Sequence, residues 1–176
     1  FIHPLTGGRD QTVIQFLWDT GVRRAELASL LDPDLDLERR RAKVVGKGDK
    51  ERVVLFSEEC RQMLEWWQED RELHYPELEG VDSVFITLRG TAMQPNEVTA
   101  LVRHVATEAG LKGLVWAHLF RHSRLSELAN SGMNVLDVAK LAGHANVNTT
   151  SKYFHQDLEQ VQEAYDRASR GGVHEG

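Results

Sequence analysis

The stretch HLFRHSRLSELANSGMNVLDVAKLAGHANVNTTSKY, residues 118–153, carries the densest set of chemically useful side chains in this chain. Its pattern reads as three short helices. The first runs over about 118–131 and closes at Ser131-Gly132. The second runs over about 134–142, with Asn134 as cap and Gly143 as stop. The third covers about 147–154, capped by Asn146 or Asn148, and holds Tyr153. Helical spacing puts His118 and Arg121 one turn apart on one face, while His144 follows Leu141-Ala142-Gly143. An arginine, two histidines and a tyrosine that converge can grip a phosphate and attack it.

Outward from that stretch, the N-terminal half alternates helix and strand signals. Residues 1–8, with Pro4 and Gly7-Gly8, read as a linker. A helix over about 10–20 closes at Thr20-Gly21, and a second, from Arg23 to Leu31, turns Leu27, Leu30 and Leu31 inward. Residues 35–56 switch to strand period: Leu35 and Leu37, then Ala42-Lys43-Val44-Val45, the turn Gly46-Lys47-Gly48-Asp49-Lys50, and Arg52-Val53-Val54-Leu55-Phe56. That hairpin concentrates positive charge in Arg39, Arg40, Arg41, Lys43, Lys47, Lys50 and Arg52. Ser57 with Glu58-Glu59 opens a helix to about Leu73, with Trp66 and Trp67 in its apolar content. Ser83 to Ile86 reads as a short strand, and Pro95-Asn96 opens a helix that reaches Gly110. A last amphipathic helix, about 157–169, presents Leu158, Val161 and Tyr165. The sum is an α+β fold, mainly helical, with a small antiparallel sheet.

Composition bounds the function. At 176 residues, 41% hydrophobic and 27% charged, the chain suits one domain with a real core. There is no signal peptide and no apolar run of bilayer length, so no membrane partner is expected. Cys60, the single cysteine, excludes an intrachain disulfide and fits a cytoplasmic location. A net charge of −6 argues mildly against nucleic acid, but the basic hairpin shows that the charge is unevenly spread.

Taken singly, each candidate is ordinary: a surface arginine, a turn lysine, a capping histidine. Taken in order, they resemble the tyrosine recombinase (phage integrase) family. Thr20-Gly21-Val22-Arg23-Arg24-Ala25-Glu26-Leu27 resembles its first box, with Arg23 as the first catalytic arginine. Val45 to Arg52 resembles its hairpin, with Lys47 as the catalytic lysine. His118-Leu119-Phe120-Arg121 is similar to H-x-x-R, Leu141-Ala142-Gly143-His144 to L-x-G-H, and Tyr153 stands where the nucleophile belongs. Phe120, Ser123 and Ala142 depart from the commoner Leu, Thr and Leu without removing a functional group. The resemblance covers about residues 9–155.

The resemblance implies a catalytic domain over 9–155 with a three-stranded antiparallel sheet. A C-terminal helix over 156–170 would dock on a neighbouring protomer, a disordered tail would occupy 171–176, and a separate N-terminal core-binding domain is absent from the chain. It implies site-specific cleavage and rejoining of double-stranded DNA through a 3′-phosphotyrosine and a free 5′-hydroxyl, with strand exchange through a Holliday junction. The full-length protein would be a homotetramer on DNA and the isolated domain a monomer. Arg23, Lys47, His118, Arg121, His144 and Tyr153 would be catalytic. Arg39, Arg40, Arg41, Lys43, Lys50 and Arg52 would face DNA. Planar guanidiniums match phosphate oxygens, so neither metal nor ATP nor another cofactor is expected. Glu26 would hold Arg23 or Arg24 by an ion pair. Two other readings exist. Residues 136–153 also look like a lac-repressor-type helix-turn-helix, which leaves Arg23, Lys47 and the H-x-x-R box unexplained. A type IB topoisomerase shares the chemistry, but the His118 box and short hairpin look more like a recombinase.

Overall fold

The computed structural model describes residues 4–46, 48–76, 82–111, 117–142, 162–163 and 165–167. In chain order the elements are α1 (Pro4–Thr20), α2 (Arg24–Ala28), a 3-10 turn (Asp32–Asp34), β1 (Leu35–Asp36), β2 (Arg41–Gly46), β3 (Lys50–Leu55), α3 (Glu58–His74), α4 (Pro95–Glu108), α5 (Ala117–Asn130) and α6 (Val135–Ala142). The strands form one antiparallel sheet in the order β1-β2-β3, as the resemblance implies. No helix among the described residues is long and apolar enough to cross a membrane.

Both faces of β3 are covered. One looks into the main core, where Ala42, Val44 and Val54 meet Val13, Phe16 and Leu17 of α1, Leu27 of α2, Leu64 and Trp67 of α3, and Val98 and Val102 of α4. Phe16 sits at its centre, its ring 5.9 Å from that of Phe56 and 6.0 Å from that of Phe85. Burying one such side chain contributes about 1.5–3 kcal/mol. The other face carries Leu55 into a smaller cluster with Leu128, Met133, Val138, Leu141 and Tyr165. β3 therefore borders both the α1–α4 core and the cluster built with α5 and α6, while Phe120 of α5 also packs directly on the main core.

Local signals set several boundaries where expected. Ser57 Oγ accepts the Cys60 N–H at 3.1 Å and opens α3. Asn134 Oδ1 accepts the Leu136 N–H at 2.9 Å and opens α6. The β2–β3 hairpin closes with Gly46 opposite Lys50, and its turn puts Gly48 and Asp49 at positive φ, conformations that suit those two residue types.

Three expectations need correction. Residues 4–8 are the first turns of α1, not linker. The Trp66 ring lies where a Cβ on Gly8 would be, so Gly8 makes room for α3, and its carbonyl accepts the Thr12 hydroxyl at 2.8 Å. The helix expected over 23–31 is the shorter α2, which leaves Leu31 40% exposed while Leu27 and Leu30 are buried. Ser83 to Ile86 makes no laddered strand, only isolated bridges, Leu31 to Ser83 and Ile86 to Ala92. Side chains hold it instead: Trp67 Nε1 donates to the Val84 carbonyl at 2.8 Å and Arg71 to that of Ser83 at 2.5 Å. The expected helix over 147–154 lies outside the described residues.

Candidate active site

The site begins at the sharp turn between α1 and α2. Thr20 donates its hydroxyl back to the Phe16 carbonyl at 2.5 Å. Gly21 then takes φ +59, a left-handed conformation that lets the chain double back. A Cβ on Gly21 would stand 3.5 Å from Cα of Arg121, so the glycine is also where α5 approaches. Arg121, 8% exposed, donates Nη1 to the Gly21 carbonyl at 2.7 Å. One turn on, Arg124 reaches the Asp19 carbonyl at 3.4 Å, and Phe120 meets Trp18 edge to face at 6.3 Å. Positions 23 and 121, about a hundred residues apart in the chain, become neighbours through this docking of α5 on the end of α1.

Arg23 is the residue before α2, and Glu26 closes a capping box on it. Glu26 Oε2 accepts the Arg23 backbone N–H at 2.7 Å and Oε1 accepts Arg23 Nη1 at 2.9 Å. Glu26 is 2% exposed. From β3, Arg52 Nη2 also donates to Glu26 Oε2 at 2.8 Å, and Arg52 Nη1 donates to the Leu141 carbonyl at 2.6 Å. Arg23 and Arg52 thus share the Glu26 carboxylate, and Arg121 lies near enough to feel the charge of all three.

Burial and neighbouring charge act together on these groups. Burial, then the fields of Arg52 and Arg23, push the Arg121 guanidinium down to about 10, against a smaller opposing pull from Glu26. Burial alone would raise the Glu26 carboxyl. The Arg23 N–H bond and the charge and donors of Arg52 and Arg23 outweigh it and hold Glu26 below its ordinary 4.5. A carboxyl so depressed adds stability that is present in full above pH 4.5 and lost as pH falls below it. Urea unfolding between neutral pH and pH 3 is expected to show this loss, with a flatter profile below pH 4.5 for Glu26→Gln. An unchanged slope in that variant would contradict it.

The remaining residues singled out in the sequence divide clearly. His118 falls in the first turn of α5, one helical turn before Arg121. Lys47, His144 and Tyr153 lie outside the described residues. Gly46, next to Lys47, is described, and a Cβ there would come 3.2 Å from Glu26 Oε1. The root of the lysine hairpin therefore rests on the same carboxylate. Of the basic residues expected to face DNA, Arg39 is exposed and pairs with Asp36 at 3.3 Å. Lys43 pairs with Asp34 at 3.1 Å and Glu51 at 3.4 Å, and Lys50 is exposed. Arg41 is half-buried, with a buried Nε that has no hydrogen-bond partner among the described residues. Arg40 forms a bidentate pair with Asp166 at 2.7 and 3.2 Å, and Arg52 points inward as described.

Asp166 and Tyr165 belong to the expected C-terminal docking helix, and both are engaged within their own chain. Tyr165 is 1% exposed. Its hydroxyl donates to the Asp19 carbonyl at 3.1 Å, and its ring lies 4.7 Å from the Arg124 guanidinium carbon. Leu158 and Val161 lie outside the described residues. Sequence reasoning missed the inward role of Arg52. Strand period two places Arg52 with Val54 and Phe56, and that alternation was a usable signal.

The phage integrase family model matches residues 4–160 of this chain. Tyrosine recombinase XerC of Staphylococcus epidermidis is 31% identical over 169 residues, covering 94% of this chain and 56% of that protein. XerC of Pseudomonas syringae pv. tomato is 35% identical over 169 residues, 94% of this chain and 55% of its own length. The chain spans about half the length of these curated relatives. Among solved structures, XerA recombinase superposes with a TM-score of 0.73 at 26% identity, over 97% of this chain and 61% of that one. XerH site-specific recombinase, in a pre-cleavage complex with difH substrate, gives 0.69 at 30% identity, over 91% and 46%. This chain belongs to the phage integrase family of tyrosine recombinases, whose catalytic domain it matches.

Proposed function

We propose that this chain is the catalytic domain of a site-specific DNA recombinase that cleaves and rejoins double-stranded DNA. The convergence of Arg23, Arg52 and Arg121 beside the Glu26 carboxylate carries the reading, because guanidiniums brought together from α2, β3 and α5 offer the paired donors that match phosphate oxygens. In the proposed reaction Arg23 and Arg121 hold the non-bridging oxygens of the scissile phosphate, and His144 adds a donor to them. The Tyr153 phenol oxygen forms a bond to phosphorus as the bond from phosphorus to the 5′ oxygen breaks. The phenol proton passes to His118, and Lys47 protonates the departing 5′ oxygen. The products are a 3′-phosphotyrosine and a free 5′-hydroxyl. The ester keeps the energy of the phosphodiester, so attack by a second 5′-hydroxyl reseals DNA without ATP. Guanidiniums stabilise the developing charge in the role that a metal takes elsewhere.

Arg39, Arg41, Lys43 and Lys50 are proposed to line the approach of the DNA backbone. The partner DNA, an assembly of four protomers on two sites, exchange through a Holliday junction and a cytoplasmic setting complete the proposal. The similar XerH recombinase, bound to difH substrate in pre- and post-cleavage complexes, supports the DNA assignment.

The test uses the full-length protein on nicked suicide duplexes carrying its recombination site, selected from a randomised pool. After denaturation in the presence of a chelator, protein is expected on the 3′ end of the cleaved strand. No adduct would overturn the reading. Relaxation of supercoils without strand exchange would reassign the chain to a topoisomerase.

A further inference from the structure

Arg52 sits at a junction that the reaction scheme does not use. Both of its terminal nitrogens are committed, Nη2 to Glu26 Oε2 at 2.8 Å and Nη1 to the Leu141 carbonyl at 2.6 Å. Its side chain is 10% exposed. The register explains the direction: Arg52 is opposite Val44, and Val54 is opposite Ala42, so Arg52 shares the inner face of the sheet.

Each partner leads to a different functional segment. Glu26 holds Arg23 by its backbone and its side chain. The same carboxylate abuts Gly46, the residue before Lys47. Leu141 is in the last turn of α6, where carbonyls lack intrahelical donors and a cation is favoured by the helix dipole. Beyond that turn the chain continues to His144. Arg121 is close enough that Arg52 and Arg23 both lower its proton affinity. One guanidinium therefore ties together the first arginine, the lysine hairpin, the second arginine's surroundings and the end of α6.

We propose that Arg52 is a positioning residue that registers the end of α6 against Arg23 and the β2–β3 hairpin, rather than a contact to the DNA backbone. The proposal rests on the reading that Arg23 and Arg121 grip the scissile phosphate. Its energetic logic is alignment: an error of about 1 Å in a reacting group costs on the order of 100-fold in rate. A planar fork that bridges two acceptors at fixed angles is a stiff device for that purpose. Lysine offers one ammonium and holds either Glu26 or the Leu141 carbonyl in the fork's geometry, not both.

The experiment compares full-length wild type, Arg52→Lys and Arg52→Met on the suicide duplex, reading duplex affinity, its salt dependence and the single-turnover cleavage rate at saturating DNA. For Arg52→Lys the expected result is a cleavage rate about 10- to 100-fold lower, with affinity within about twofold and an unchanged slope of log Kd against log salt. Arg52→Met, which removes both donors, is expected to cleave more slowly still. Unchanged cleavage by Arg52→Lys overturns the proposal. So does a loss of affinity with a salt slope lower by about one, the signature of a phosphate contact. Loss of the melting transition in Arg52→Lys would also overturn it, since the residue would then serve the fold and not the site. Wild-type adduct in the same assay separates failure of this proposal from failure of the functional reading.

Discussion

Tyr153→Phe is expected to bind duplex DNA as the wild type does and to form no covalent adduct, with single-turnover cleavage down by at least about 10⁴-fold. The substitution removes one oxygen and leaves a ring of nearly the same shape, so an effect of that size reports chemistry and not packing. The chain has three tyrosines, and the other two have hydroxyls already occupied. Tyr75 donates to the Leu88 carbonyl at 3.0 Å. Tyr165 donates to the Asp19 carbonyl beneath α5, and burial pushes its hydroxyl well above the ordinary phenol range. A phenol needs the opposite environment to act as a nucleophile near neutral pH: a proton acceptor and a positive field. In the proposed reaction the cluster of Arg23, Arg52 and Arg121 would supply such a field. Adduct formation that persists in Tyr153→Phe at a wild-type rate would remove Tyr153 from the mechanism. Loss of the adduct in Tyr165→Phe alone would point to the buried tyrosine.

What could be read in advance was local. Ser57 and Asn134 cap the helices they were expected to cap. The hairpin turns where Gly46 to Lys50 said it would, because glycine and aspartate accept positive φ. The arginine, lysine, histidine and tyrosine boxes, read as an ordered set, pointed to the family, and the family model over residues 4–160 matches that family. What escaped was decided by contacts distant in sequence. Gly7-Gly8 looks like linker until the Trp66 ring is laid against Gly8, and then a glycine is what that turn of α1 requires. Arg40 looks like a surface charge awaiting a phosphate until Asp166, 126 positions away, supplies its partner. Tyr165 looks like half of a docking stripe until α5 closes over it. Arg52 is the intermediate case. Strand alternation pointed it inward, but a run of basic residues invited the opposite assignment. A buried guanidinium is tolerated only where acceptors are waiting, and Glu26 and the Leu141 carbonyl lie 26 and 89 positions away.

Those acceptors also show how a chain with a net charge of −6 could present a basic face to the proposed polyanionic substrate. The acids are local complements rather than a uniform repulsive surface: Glu26 holds two site arginines, while Asp34, Asp36 and Glu51 pair with the exposed basic residues of the sheet. On α3, Glu58 and Glu65 both pair with Arg61. Exposed pairs of this kind contribute little and are screened by salt, so an approaching phosphate can exchange with them at small cost.

Arg121→Lys is the second large effect. Cleavage is expected to fall about 10²- to 10³-fold, the usual loss when one preorganised donor to a developing oxyanion is removed, with a much smaller change in duplex affinity. The charge survives the substitution and the geometry does not. Arg121 donates Nη1 to the Gly21 carbonyl at 2.7 Å, and this bond fixes the plane of the guanidinium against the turn that presents Arg23. A lysine ammonium that takes that carbonyl has no rigid second arm, and one that turns to the phosphate leaves a buried carbonyl unpaired, at about 1–3 kcal/mol. The protein also carries a cost in the wild type: Arg121 is buried and crowded by Arg52 and Arg23 until its guanidinium drops to about 10. It remains charged at neutral pH, and a phosphate bound among the three arginines would relieve that crowding. Single-turnover cleavage and equilibrium binding on the same duplex decide the matter. Equal losses in both would make Arg121 a simple binding contact, and cleavage by Arg121→Lys within about threefold of wild type would remove it from the phosphate clamp.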